Sequence, residues 1–195
     1  MYSMSHDERL FYYTYDRLYN AISLSADGNL SALKHLIEVE GFNLSYCYQE
    51  YKLSAITIAS MYSGKGVEDM VAYLLKHGAQ PTYSALCKFA EEGNVSAMRK
   101  LFAAGLPING QKGKQTILDF CLDLAKNQKA TYGKVDPKLD DVFDFLVSMG
   151  AKTKEELNAE GNLARRIAVL KKETRLKMAK RSIKRQERKN DVKER

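Results

Sequence analysis

The chain of 195 residues has no tryptophan, three prolines, three cysteines and three histidines. So little proline, beside abundant Leu, Ala, Lys and Glu, leaves helices free to run and points to a helical protein. No run approaches the roughly 18 consecutive apolar residues of a membrane helix, which excludes a helical span. The opening "MYSMSHDERLFYYTYDRLYN" lacks a basic start followed by an apolar stretch, so no secretory leader is expected. Cys47, Cys87 and Cys121 are odd in number, with no C-x-x-C pair and no histidine at metal-ligand spacing. That excludes a disulfide framework or a zinc site and leaves three small buried hydrophobes in a reducing cytosol. No cofactor or metal is expected.

Catalytic patterns are equally scarce. His6 lies in a charged leader, His35 on the outer side of a helix, and His77 beside a helix-ending glycine, where a cation is favoured. No Cys or Ser stands in a recognisable relation to a His, and there is no G-x-S-x-G. "SGKGVED" has neither the spacing nor the Lys-Ser/Thr of a phosphate loop. Glu91-Glu92 and Asp140-Asp141 are carboxylate pairs read at helix starts, where negative charge is favoured anyway. A non-enzymatic protein is expected.

What the chain does have is a sentence written twice. "ADGNLSALKHLIEVEGFNL" (26–44) and "EEGNVSAMRKLFAAGLPIN" (91–109) share Gly-Asn, Ser-Ala, a central Leu, a closing Gly and a later Asn. Apolar residues fall on one helical face in each: Leu30, Leu33, Leu36 and Ile37 in the first, Val95, Met98, Leu101 and Phe102 in the second. Two further segments follow suit, with Val67, Met70, Val71, Leu74 and Leu75, and with Leu139, Val142, Phe143, Leu146 and Val147. All four close on a glycine (Gly41, Gly78, Gly105, Gly150), the residue that takes a left-handed conformation past a helix end without Cβ strain. Asn29 and Asn94 are the expected N-caps. Shorter helices precede three of these, at "SAITIAS" (54–60), "SALCKFA" (84–90) and "TILDFCL" (116–122).

These units resemble the ankyrin repeat, whose first helix opens Thr-Pro-Leu-His and whose second closes Leu-Leu-x-x-Gly-Ala. Thr116, Leu118 and Asp119 look like a T-x-L-D variant; Leu74, Leu75, Gly78 and Ala79 match the second helix and its close. "GAKTKEEL" (150–157) is similar to the end of such arrays, and the resemblance covers roughly residues 18 to 157. No unit keeps the consensus Pro or His, and the closing glycines are 37, 27 and 45 residues apart against the family's regular period. An irregular bundle or tetratricopeptide-like pairs compete with this reading; short first helices and Gly-Ala closures disfavour both. The fold class expected is therefore all-α, an α-solenoid of about four degenerate ankyrin-like helix pairs with a long basic C-terminal helix.

Within that frame, residues 1–157 form the repeat domain. Its N-terminal segment is expected to cap the array through Phe11, Tyr12, Tyr15 and Leu18, with Asp7, Glu8 and Arg9 in water. A tight turn around Pro81 replaces one finger, "NLSYCYQEYKL" (43–53) keeps another, and "NQKATYGKVDP" (127–137) reads as a surface insertion. Thr153-Lys154-Glu155-Glu156 reads as a capping box opening a last helix. The resemblance implies binding of a protein partner on the concave groove. Tyr46, Tyr48 and Tyr51 are candidates there as rigid amphipathic contacts, or one face of that strand packs on the body. Thr57, Lys88 and Asp119 stand at the consensus His position, facing the groove or making helix-start hydrogen bonds.

Net charge is +7, yet residues 165–195 hold 14 Lys or Arg against four acids, while residues 1–164 hold 17 against 20. The basic character belongs to the tail, residues 158–195. A helix from about Glu156 to about Lys189 would be on the order of 50 Å long. Leu163, Ile167 and Leu170 could dock it. Lys171, Lys172, Arg175, Lys177, Lys180, Arg181, Lys184, Arg185, Arg188 and Lys189 are then a solvated face, a contact for an acidic protein or nucleic acid, or an import or secretion signal. No aromatic is present there to stack on bases, and no Trp, Phe or dense Leu to enter a bilayer. A cytosolic protein is expected; the resemblance also permits delivery into a host cell, as for small proteins of this type from intracellular bacteria.

Overall fold

Three of the four glycine-closed segments end their helices with one repeated hydrogen bond. The amide after the glycine reaches back five residues: Ala79 N–H to Leu74 O (3.0 Å), Leu106 to Leu101 (3.1 Å) and Ala151 to Leu146 (2.9 Å). Each glycine takes a positive φ, 88° at Gly78, 95° at Gly105 and 77° at Gly150, as this closure requires. The first segment carries one residue more between its last buried Leu and its glycine. There the bond runs from Phe42 to Leu36, and the helix absorbs the extra residue as a π-helical turn.

A computed structural model describes residues 6–45, 54–64, 66–113 and 115–162, the side chains of residues 6–9 and 112 excepted. The chain divides into two compact units, the first ending at Thr153 and the second beginning at Lys154. In the first unit α1 spans His6–Leu24, and α2, Ser31–Lys34, runs on as the π segment His35–Val39. There follow α3 (Ala55–Ala59), α4 (Gly66–Lys76), α5 (Tyr83–Glu91) and α6 (Val95–Ala103). A two-stranded ladder, β1 (Gln111–Lys112) against β2 (Gln115–Thr116), leads into α7 (Ile117–Tyr132), and α8 (Lys138–Ser148) completes it. The strands are antiparallel, with Gln111 opposite Thr116 and Lys112 opposite Gln115. The class is all-α. Of the second unit, residues 154–162 are helical and directly follow Thr153, where the capping box is expected. No helix among the described residues is long and apolar enough to cross a membrane.

Neighbours are regular. Helix α3 packs on α1, α4 and α5, while α5 packs on α3, α6 and α7. On the other side α4 meets α6, α6 meets α8, and α7 meets α8. The core between them is the expected stripe: Val67, Met70, Val71 and Leu74 of α4, Met98 and Leu101 of α6, and Leu139, Val142 and Leu146 of α8 are buried. One assignment changes. Val147 is 64% exposed and Phe145 takes its place in the core, 6.0 Å from the Phe102 ring, with the Arg99 guanidinium 4.8 Å above it. At about 100° per residue, Phe145 lies about 60° beyond Val142 at one edge of the buried arc, whereas Val147 lies about 80° beyond Leu139 at the other.

Other expectations shift for similarly local reasons. On α1 the core face is Leu18, Ala21 and Ile22, with Tyr15 partly buried against it, but Tyr12 is 55% exposed because it lies about 120° round the helix from Leu18. The side chains of Asp7, Glu8 and Arg9 lie outside the described residues. Asn94 caps α6 as expected, accepting from Ala97 N–H at 2.9 Å. Asn29 instead sits one residue upstream of the N-cap position and accepts from the Ser31 N–H (3.1 Å) and Oγ (2.6 Å). The "NQKATY" stretch is not an insertion loop. With no Gly or Pro before Gly133, α7 simply continues to Tyr132 and stops at that glycine's positive φ of 73°. Glu91 and Glu92 end α5 rather than opening a helix.

Candidate functional site

Three helices begin with the same device. Ser54 accepts from Thr57 N–H, Thr82 from Ala85 N–H and Thr116 from Asp119 N–H, each at 3.2 Å. Thr116 and Asp119 complete a reciprocal box, since the Asp119 carboxylate accepts from the Thr116 N–H at 3.0 Å. Such caps are each worth about 1 kcal/mol. They also fix where the exposed sides of α3, α5 and α7 meet, and a cleft of about 380 Å³ opens there. Helix α3 contributes Thr57, with Ser60 and Met61 just beyond it; α5 contributes Tyr83, Ser84, Cys87, Lys88 and Glu91. The far wall is Gln115 and Thr116 of β2 with Phe120 of α7.

Most polar groups in this lining are already engaged. Thr57 Oγ1 lies 2.7 Å from Thr82 Oγ1, and Ser60 Oγ donates to the Thr57 carbonyl at 2.7 Å. Thr116 Oγ1 donates to Asp119, and Gln115 Nε2 donates to Asp123 at 2.5 Å. Lys88 Nζ donates to Glu91 Oε2 at 2.5 Å, and that carboxylate raises the Lys88 pKa. Tyr83 is pushed up chiefly by burial, with Cys87 adding to it; its Oη has no partner of good geometry, although the Ile117 backbone partly offsets the burial.

An aromatic strip lies on the neighbouring helix. Phe11 and Tyr15 stack at 6.3 Å between ring centroids, Tyr15 and Tyr19 at 5.7 Å, and Tyr19 meets Tyr62 at 6.3 Å. Tyr62 follows Met61 of the cleft, and α1 packs directly on α3. Tyr12, Tyr13 and Tyr19 keep exposed rings.

Elsewhere, the π segment holds an ionic cluster. Glu38 accepts from Tyr73 Oη at 2.9 Å and lies 3.8 Å from His77 Nε2, while Glu40 pairs with Arg17 and lies 3.4 Å from His35. Glu68, Glu92 and Asp141 line a polar notch of about 550 Å³ near the starts of α4, α6 and α8; Glu68 accepts from Ser96 Oγ at 2.6 Å. Among the described residues no three His, Cys, Asp or Glu side chains are grouped to hold a metal ion.

Of the residues singled out from the sequence, Thr57 and Lys88 meet in the cleft. Lys88 lies mid-helix rather than at a helix start: Thr82 caps α5, and the position equivalent to Thr57 and Asp119, three residues after the cap, is Ala85. Asp119 makes the helix-start hydrogen bonds. Tyr46, Tyr48 and Tyr51, Cys47, and the tail residues Lys171 to Lys189 lie outside the described residues. Met61, Tyr83 and Phe120 carry no sequence motif, and Phe11 and Tyr15 are expected only as packing residues of the cap, not as stacked partners of Tyr19 and Tyr62. The recurrence of rings at 11, 15 and 19 was the available signal, a period of four along one helix.

A buried thiol and a half-buried phenol give the protein an alkaline limit. Burial, and secondarily Cys87, lift the Cys121 thiol from 9.0 to about 12. Burial and the bond to Glu38 lift Tyr73 from 10.0 to about 12. The folded chain thus keeps protons that the unfolded chain releases, so their contribution is whole below pH 9 and is lost as pH rises towards about 12. Urea midpoints are expected to be level from pH 7 to just below 9 and then to fall, with Cys121 unreactive to a thiol reagent until unfolding. A Cys121 that reacts in the native protein at neutral pH would contradict this. No protein family, curated protein or solved structure matches the chain.

Proposed function

We propose that the chain is a non-enzymatic protein–protein interaction module, an adaptor, built as a short solenoid of degenerate ankyrin-like helix pairs. Support for the repeat reading lies in recurrence. Helices α3, α5 and α7 each open on a hydroxyl cap, and α4, α6 and α8 each close on a positive-φ glycine with the same five-residue bond. The β1–β2 hairpin stands immediately before a first helix, where such a repeat carries its finger. The observation that carries the functional reading is that the cleft and the aromatic strip both belong to the first helices: the cleft to α3, α5 and α7, the strip to α1, which packs on α3 and whose Tyr19 meets Tyr62, the residue after Met61. A partner is taken there, with Thr57 and Lys88 on the contact face, Asp119 holding its wall in shape, and Tyr46, Tyr48 and Tyr51 of the finger as further contacts. The basic tail adds contact with an acidic surface, in the cytosol or in a host cell.

A second reading rests on the tail's charge, 14 Lys or Arg against four acids over residues 165–195: the tail binds nucleic acid and the repeats recruit. Affinity capture from the native cell, followed by titration of the captured partner, separates the two. The full chain and a truncation lacking residues 171–195 are expected to hold the same protein, while Met61→Glu with Ser84→Arg weakens it at least about tenfold, roughly 1.4 kcal/mol. Capture abolished by the truncation and insensitive to the cleft substitutions, with steep salt-dependent binding of DNA or RNA, would instead select the tail.

A further inference from the structure

Whatever enters the cleft meets few unengaged polar groups. Its one cation, Lys88, is matched by Glu91 at 2.5 Å on the same helix, and the hydroxyls of Thr57, Ser60 and Thr116 are bonded within the protein. A carboxylate or phosphate arriving here would have to break the Lys88–Glu91 pair or exchange its water shell for the neutral hydroxyls of Ser84 and Tyr83, and either is costly. A lysine or arginine fares no better, since Glu91 is already matched. A lining whose two charges already pair with each other is complementary to an uncharged occupant.

Shape narrows the class further. Tyr62, next in sequence to Met61 of the cleft, meets a run of rings stepping 5.7 to 6.3 Å from Phe11 through Tyr15 to Tyr19 on α1, so an elongated row of aromatic groups begins one residue from the cleft. That suits a peptide segment better than a small molecule, because an extended chain advances about 3.3 Å per residue and can follow it. Most of the wall is helical, with its backbone groups bonded internally, and its one strand, β2, is only two residues long, too short an edge for strand addition; side-chain anchors must carry the contact. We infer that the partner presents a short uncharged segment, one large aliphatic or aromatic residue seated between Met61, Tyr83 and Phe120, and its flanking apolar residues lying on the Tyr19–Tyr62 end of the strip. This rests on the cleft being the binding site.

The test selects a random displayed peptide library on the full chain and measures synthetic copies of the winners. Enriched peptides are expected to centre on Leu, Ile, Met or Phe without Asp, Glu, Lys or Arg beside it. Affinity is expected to change little from low to physiological salt and to fall at least about tenfold with Met61→Glu or, independently, Ser84→Arg. Met61 is 64% exposed, so its replacement leaves the core intact, and an unchanged melting curve verifies that. Winners centred on acidic, phosphorylated or basic residues that still lose binding with these substitutions would overturn the inference while leaving the site in place. Winners indifferent to both substitutions, or no enrichment at all, would overturn it as well, the former also removing the cleft as the binding site.

Discussion

Gly66→Ala is expected to destabilise the first unit by more than about 3 kcal/mol, although alanine is the better helix former by about 1 kcal/mol. The reason is a backbone contact. A Cβ at Gly66 would stand 2.1 Å from Gly28 N and 2.5 Å from both Asp27 C and Gly28 Cα. No side chain can swing aside, so α4 must lift away from the turn after α1, taking the buried Val67 and Met70 with it. Gly105→Ala is the control. Gly105 has φ 95° but nothing within 4 Å of its Cβ position, so alanine there meets only conformational strain, about 1–2 kcal/mol. Urea denaturation of both variants measures the difference; a Gly66→Ala midpoint equal to or above that of Gly105→Ala would refute the contact.

Leu101→Asp is expected to unfold the first unit at 25 °C. Leu101 is fully buried in α6, a helix that packs on α4, α5 and α8, so the damage falls at the centre rather than at an end. Removing the side chain costs about 2–5 kcal/mol. Burying a carboxylate without a partner adds several more, and the sum rivals the roughly 5–15 kcal/mol stability of a small domain. Ala103→Asp, two residues along on the exposed side, is expected to shift stability by no more than about 0.5 kcal/mol. Circular dichroism melts read both, and a cooperative transition of normal midpoint for Leu101→Asp would discard the buried stripe.

The second helices were legible because two independent signals coincide in each: a 3.6-residue apolar period and a glycine whose left-handed conformation little else tolerates. The first helices were harder to read. Their apolar faces are short, and the register depends on which hydroxyl caps: with Thr82 as the cap, the equivalent of Thr57 and Asp119 is Ala85, three residues before Lys88. The extra residue before Gly41 was visible as a longer spacing, but spacing alone does not say whether it loops out or is wound into a π turn; tertiary packing of Leu36 and Phe42 decides that. The hairpin over residues 111–116 left only Gly113 as a trace, since two-residue strands have no alternation to detect. Least legible was the cleft. Met61, Tyr83 and Phe120 are distant in sequence, share no motif, and become neighbours only once three helix starts are set side by side.

The stacked rings on α1 have a practical consequence. With no tryptophan among the 195 residues to drain their excitation, the twelve tyrosines own the intrinsic fluorescence of the molecule, and Tyr62, in series with Tyr19 and Tyr15, directly follows Met61 of the cleft. A guest settling there announces itself in the ultraviolet emission of the unlabelled chain, and replacing Tyr19 by phenylalanine dims that announcement without touching the buried side of the helix.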